Sequence, residues 1–175
     1  SSVFAVMMLT GTSEPRWLVA GFFLILAGSL LGFLCHNWSP ARIFMGDAGS
    51  YFIGFSIASM TVLGTFYTPD AGDRHVIMAP FCVLAVPLYD ICSVIFLRLR
   101  EGRSPFQPDK RHFSHRLVAM GLRPVHAVLT VHLTTLTTSL GGLALYNVTT
   151  WGAAAIPLAM VASVLLIIAV LESAQ

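Results

Sequence analysis

Charge is what this chain has least of. Of its 175 residues, 10% are Asp, Glu, Lys or Arg and 56% are apolar, whereas a soluble domain carries about a quarter charged residues. With a mean hydropathy of +0.79, this balance excludes an ordinary soluble domain and gives an integral membrane protein. Cysteine is scarce as well, at three residues. Cys82 and Cys92 fall on one predicted helix, separated by about 15 Å along its axis. A disulfide needs Cα atoms within about 7 Å, so this pair is excluded. Cys35 meeting one of them stays open, and buried free thiols are the simpler expectation. The opening "SSVFAVMML" has no initiator Met, no basic stretch and no small-residue cleavage site, which excludes a signal peptide. It reads as a chain entered partway through a hydrophobic helix, so the expectation is a fragment of a longer protein. Internal repeats and low-complexity tracts are absent from the sequence.

What is present is a series of apolar runs. A bilayer core about 30 Å thick needs about 20 apolar residues per helix. Residues 1–10 form a short apolar remnant. Residues 17–35, 51–67, 76–98, 125–146 and 150–171 then predict about five full spans. Pro80 and Pro87 predict kinks in the third, and the short link after Asn147 makes use of its glycosylation sequon implausible. The fold class expected is an all-α polytopic transmembrane bundle. Of ten Lys and Arg, seven cluster at 98–123, and Arg42 falls in the 36–50 loop, which alternation places on the same side. Arg16 and Arg74 fall opposite. By the positive-inside rule, the loops near 36–50 and 99–123 are cytoplasmic, in a multi-pass protein of the cell membrane.

Those two loops hold the residues suited to chemistry. The first reads "HNWSPARIFMGDAGS". Pro40 breaks the helix, and Gly46 and Gly49 flank Asp47 with residues that let backbone approach a ligand. Asp47 is a hard oxygen ligand of the kind Mg²⁺ takes alongside substrate phosphates, and Asn37 and Ser50 add polar contacts. The alternative is a plain solvated loop in which Asp47 caps a helix beginning near Gly49. In the second loop, Asp109 is a candidate N-cap for a helix running to Gly121. On it His112, His115 and Arg116 share one face, with Phe113, Leu117 and Met120 available to lie against the membrane. That basic face suits a phosphate-rich anion, and its alternative is attraction to anionic headgroups. Zinc lacks two further ligands. Asp90, within a span, is a functional candidate by default, placed to face Asp47's cavity. Its alternative is a hydrogen-bonding or ion-pairing role inside the bundle. His126 and His132 read as packing histidines, and Glu172 as uninformative.

Taken together, "NWSPARIFMGDAGSYFIGF", "VPLYD" and "GRSPFQPDKRHFSHRLVAMGL" closely resemble the polyprenyl-phosphate N-acetylhexosamine-1-phosphate transferases. The resemblance runs over essentially the whole chain and over the C-terminal half of a typical member, so residues 1–175 form part of a single integral-membrane transferase domain. "GRSPFQPD" fits the GlcNAc-type branch better than the peptidoglycan translocase, whose loop carries three histidines. The resemblance implies transfer of HexNAc-1-phosphate, GlcNAc-1-phosphate in this branch, from a UDP-sugar to polyprenyl (undecaprenyl) phosphate at the cytoplasmic face. UMP is released, and the step initiates lipid-linked cell-envelope polysaccharide. It implies Mg²⁺, with Mn²⁺ as the alternative ion, on Asp47. Catalytic roles fall to Asp47, His112 and His115, and substrate contacts to Asn37, Ser50, Lys110 and Arg116. Asp90 and Ser114 are further candidates. Ser114 stands where the family's loop often has a middle histidine, so one phosphate contact loses its charge. Partners beyond the two substrates are membrane lipids and, compatibly, further copies of the chain, and no nucleic acid is expected.

Two other classes explain part of this. A transporter-like bundle uses Asp90 as a midplane ion site but leaves both loops without a role. A noncatalytic membrane subunit fits because the family's paired aspartates and Asp-Gly-rich loop are absent from these residues. The isolated 175-residue chain is accordingly expected to be inactive. Measurable sugar-phosphate transfer by that chain alone, in a radiolabel assay, would contradict the expectation.

Overall fold

The computed structural model describes residues 2–10, 16–38, 40–65, 74–104 and 112–173. They form α1 (Ser2–Thr10), α2 (Trp17–Asn37), α3 (Gly46–Thr65), α4 (Ala79–Val83), α5 (Ala85–Arg100), α6 (Phe113–Ala119), α7 (Pro124–Ala144) and α8 (Trp151–Ser173). Short 3-10 turns at Arg74–Met78 and Leu145–Asn147 complete the elements, and no strand occurs among the described residues. The all-α membrane bundle is therefore the observed class. Three helices are long and apolar enough to cross a membrane, α2, α7 with its 3-10 extension, and α8. A broken pair of helices makes a fourth span if counted as one. At 20 residues α3 is nearly as long as α2, but it opens on Asp47 and is more polar, so it falls outside that set. Between 17% and 22% of each of the three spans is buried inside the protein, which leaves the rest as an apolar surface for lipid or neighbouring helices.

Helix α7 is the axis of the bundle, packing against α4, α5, α6 and α8 and touching α1. One apolar core joins α1, α2, α4 and α8 through Phe4, Met8, Phe23, Cys82, Leu145 and Val161. Within it Phe4 and Phe23 stack with ring centroids 5.0 Å apart. At the far end buried His75 places Nε2 2.7 Å from the Val148 carbonyl oxygen and meets Trp151 edge-on. A second core joins α5 to α8 through Val86, Phe113, Leu117, Ala127 and Ile168.

Several expectations change here. The 76–98 span is not one kinked helix: α4 and α5 meet at Leu84 with a bend of 70°. Pro87 would clash with the carbonyl of Val83, the residue four before it, and cannot donate to it. The chain therefore restarts its helix, leaving Pro80 and Pro87 each in a first turn, where a missing N–H costs nothing. Phe113 and Leu117 are buried in the second core and do not lie against the membrane, because α5, α7 and α8 offer them protein partners. Cys82 is buried, but Cys35 and Cys92 are exposed; on a lipid-facing surface a thiol gains little from enclosure. His126 and His132 are exposed as well, and His132 turns Nδ1 to its own helix at Val128 O, 2.8 Å away, so neither packs in a core. Helix α3 starts at Gly46 rather than near Gly49.

Helices α4 and α7 meet backbone to backbone at Gly142. A Cβ there would meet the Ala79 carbonyl oxygen at 2.9 Å and Cys82 Cβ at 3.2 Å, so α4 and α7 can pack only around a bare backbone. Gly142→Ala is expected to lower the unfolding free energy in detergent by about 1–3 kcal/mol. Gly28→Ala, with open space around it, should be neutral or slightly stabilising. Equal melting temperatures for the two variants would contradict this packing.

Candidate active site

The first loop is built by hydrogen bonds back onto the end of α2. Asn37 Nδ2 donates to Ile43 O at 2.8 Å, and Arg42 N donates to His36 O at 2.9 Å. The loop then enters α3 through Gly46, whose φ of +64° lies in the left-handed region that other residues occupy at a cost of about 1–2 kcal/mol. Nothing lies within 4 Å of the Cβ position of Gly46, whereas a Cβ on Gly49 would strike Met45 Cγ at 2.6 Å. Gly46 thus serves the turn, and Gly49 leaves room for the Met45 side chain. Asp47 is exposed in the first turn of α3. Its carboxylate has no hydrogen-bond partner among the described residues, while its carbonyl accepts a bond from Ser50 Oγ at 3.0 Å. Ser50 is therefore engaged with its own helix.

The second loop is organised by Asp90. On α5, its Oδ1 accepts the backbone N–H of Phe113 at 2.6 Å, and its Oδ2 lies 3.0 Å from His112 Nδ1. His112 is the N-cap of α6, in extended backbone, and makes no side-chain cap bond of its own. The cap expected from Asp109 is thus supplied across the fold by Asp90, and α6 begins at Phe113. Asp109 and the candidate Lys110 lie outside the described residues. Both Asp90 oxygens are engaged by α6 and its N-cap residue. Of the two readings open for it, the structure shows the hydrogen-bonding and ion-pairing one.

Arg116 is held from two helices. Its Nε donates to Glu172 Oε1 at 2.8 Å, and its Nη2 donates to Ser93 Oγ at 2.8 Å and lies 3.6 Å from Asp90 Oδ1. Tyr89 Oη donates to the other oxygen of Glu172 at 2.6 Å. The Arg116 and Glu172 side chains are 12% and 13% exposed. His115, one residue before Arg116, is exposed, and Ser114 is half-buried. Tyr89, Ser93 and Glu172 were not legible as site residues. Yet Glu172 is the sole acid beyond Asp109, and a lone carboxylate at the end of an apolar span needs a cation near it.

The loops lie at one end of the bundle, since Asn37, Trp38 and Ala41 line a cavity together with Val125 and Val128 at the start of α7. Beside the first loop an apolar cleft of about 430 Å³ opens between α2 and α3, lined by Phe22, Ile25, Phe33, Met45 and Phe52 among others. Among the described residues no three His, Cys, Asp or Glu side chains converge to hold a metal. Asp47 alone suits a hard cation, as one ligand of a set completed by phosphate oxygens and water.

Residues 1–65 match the family model of glycosyl transferase family 4. The chain is 36% identical over 150 residues to the probable undecaprenyl-phosphate N-acetylglucosaminyl 1-phosphate transferase of Bacillus subtilis, an overlap of 86% of this chain and 40% of that protein. It is 43% identical over 117 residues to the decaprenyl-phosphate N-acetylglucosaminephosphotransferase of Mycobacterium leprae, 62% of this chain and 29% of that one. With the undecaprenyl-phosphate alpha-N-acetylglucosaminyl 1-phosphate transferase of Haemophilus influenzae it shares 38% identity over 92 residues, 51% of this chain and 24% of that one. The chain thus spans less than half the length of these curated relatives, and no solved structure matches it. On these similarities the chain is a relative of the glycosyl transferase family 4 proteins.

Proposed function

We propose that the whole protein of which these residues are part transfers N-acetylglucosamine 1-phosphate from its UDP-sugar to a polyprenyl phosphate at the cytoplasmic membrane face. An oxygen of the lipid phosphate attacks the sugar-linked phosphorus, the bond between the two phosphates of the donor breaks, and UMP leaves. The lipid-linked product begins a cell-envelope polysaccharide. The observation that carries this reading is the contrast at one end of the bundle. Asp47 offers a carboxylate unengaged among the described residues, while the His112 and His115 end of α6 is fixed by Asp90. The apolar cleft beside Met45 and Gly49 suits an acceptor that is itself an apolar chain with a phosphate head.

Each residue then has a stated task. Asp47 would hold Mg²⁺, with Mn²⁺ as the alternative, and the bound ion would neutralise charge on the diphosphate. With Nδ1 held by the Asp90 carboxylate, His112 keeps Nε2 for the donor, and the carboxylate sets its tautomer. His115, exposed on α6, reaches the same phosphates. Lys110 and Asn37 remain proposed contacts, Ser50 supports the turn that presents Asp47, and Ser114 donates a neutral hydrogen bond.

In the whole protein, Asp47→Asn is expected to lower UMP release by about a hundredfold or more with an unchanged melting temperature. Near-normal turnover would refute the metal assignment. His115→Ala is expected to reduce turnover or donor affinity by at least about tenfold. Unchanged values for both would return α6 to a headgroup-binding role.

A further inference from the structure

Arg116 takes partners from both sides, Glu172 on α8 and Ser93 and Asp90 on α5. We propose that Glu172, at the end of α8, is a positioning residue: with Tyr89 it clamps Arg116, and the clamp fixes the rotation of α6 that presents His112 and His115. The proposal rests on the transferase reading for its kinetic consequences and stands independently of it for the geometry.

Helix α6 spans seven residues, and helices shorter than about 12 residues are marginal alone. Its apolar anchors, Phe113 and Leu117, hold it down but resist rotation less than directional bonds do. One residue of rotation, about 100°, would turn His115 away from the face it occupies. The guanidinium is planar and presents its donors in a fixed fork. Here Nε reaches Glu172 on α8, and Nη2 reaches Ser93 on α5. Both Glu172 oxygens are used, one by Arg116 and one by Tyr89. Three helices are therefore tied by one closed set of charge-assisted bonds, about twice as strong as neutral ones. With its side chain 12% exposed, Arg116 acts behind the basic face rather than on the donor.

The test uses the whole protein in membranes. A clamp that positions α6 predicts that Glu172→Ala raises KM for the nucleotide sugar by roughly tenfold to a hundredfold while KM for polyprenyl phosphate stays unchanged. Tyr89→Phe, which removes one hydroxyl, should raise the same KM by a smaller factor, about threefold. Glu172→Gln should fall between them. Arg116→Lys, which keeps the charge and loses the fork, should resemble Glu172→Ala, and the double variant should be no worse than either single one. A purely structural role would instead lower kcat through loss of folded enzyme and leave KM unchanged, which would overturn the proposal. A second readout needs no turnover. With Cys35, Cys82 and Cys92 replaced by Ser, a Ser114→Cys thiol should be alkylated several times faster when Glu172→Ala or Tyr89→Phe is added. Unchanged alkylation in both overturns the clamp. Faster alkylation in these variants, together with no sugar-phosphate transfer by the unaltered protein, would retire the transferase reading and keep the clamp.

Discussion

The bond from Phe113 N–H to the Asp90 carboxylate is the constraint on which this end of the bundle depends. An α-helix leaves its first N–H groups unpaired, and α6 has no capping side chain of its own. A charged acceptor from another helix fills that need, with a net contribution of about 1.5–3 kcal/mol. The same carboxylate fixes the imidazole of His112 and stands near Arg116. A residue that looks expensive inside a membrane span therefore repays its desolvation with three partners. Two of these are cationic or can become so, which is the condition under which such a buried charge persists.

Asp47 is the opposite case in the same chain. Its carboxylate is exposed and has no hydrogen-bond partner among the described residues, although its backbone is tightly held by the Gly46 turn and the Ser50 bond. A rigid backbone presenting an unsatisfied acid is what a site for a cation or polar ligand requires. The division is informative. Asp90, Glu172 and Arg116 are satisfied internally and form the frame, and Asp47 and His115 are the groups left facing outward.

Much of this architecture was legible in the sequence because membrane insertion leaves few choices. The spans at 17–35, 125–146 and 150–171 appear as helices with nearly those ends, since each backbone polar group in lipid must be paired within its own helix. The turn at Gly121 is where the sequence placed it, now with a φ of +95°. The break at Leu84 was not legible. Two prolines announce a disturbance, but whether it becomes a kink or a 70° bend depends on what α7 allows α4 to pack against, through Gly142. Glu172 was missed for a related reason: its meaning lies in Arg116 and Tyr89, 56 and 83 residues away. Local patterns report helices and turns well, while an ion pair between distant helices has no periodicity to announce it.

The same physics bears on the basic loop. Seven cationic side chains between 98 and 123 invite a uniform electrostatic account, in which all attract phosphate or lipid headgroups. Two of them do something else. Arg98 is 5% exposed and donates Nη1 to Ser104 O at 2.9 Å, closing the turn after α5, while Arg116 is bound to carboxylates. Their charge still counts towards the expected orientation in the membrane, because that rule counts residues as they insert. Their guanidinium groups are engaged within the protein, where they shape the loop. A cation's contribution to topology and its place in the folded loop are thus separable: Arg98 and Arg116 are largely enclosed among protein partners, while His115, beside Arg116, is exposed.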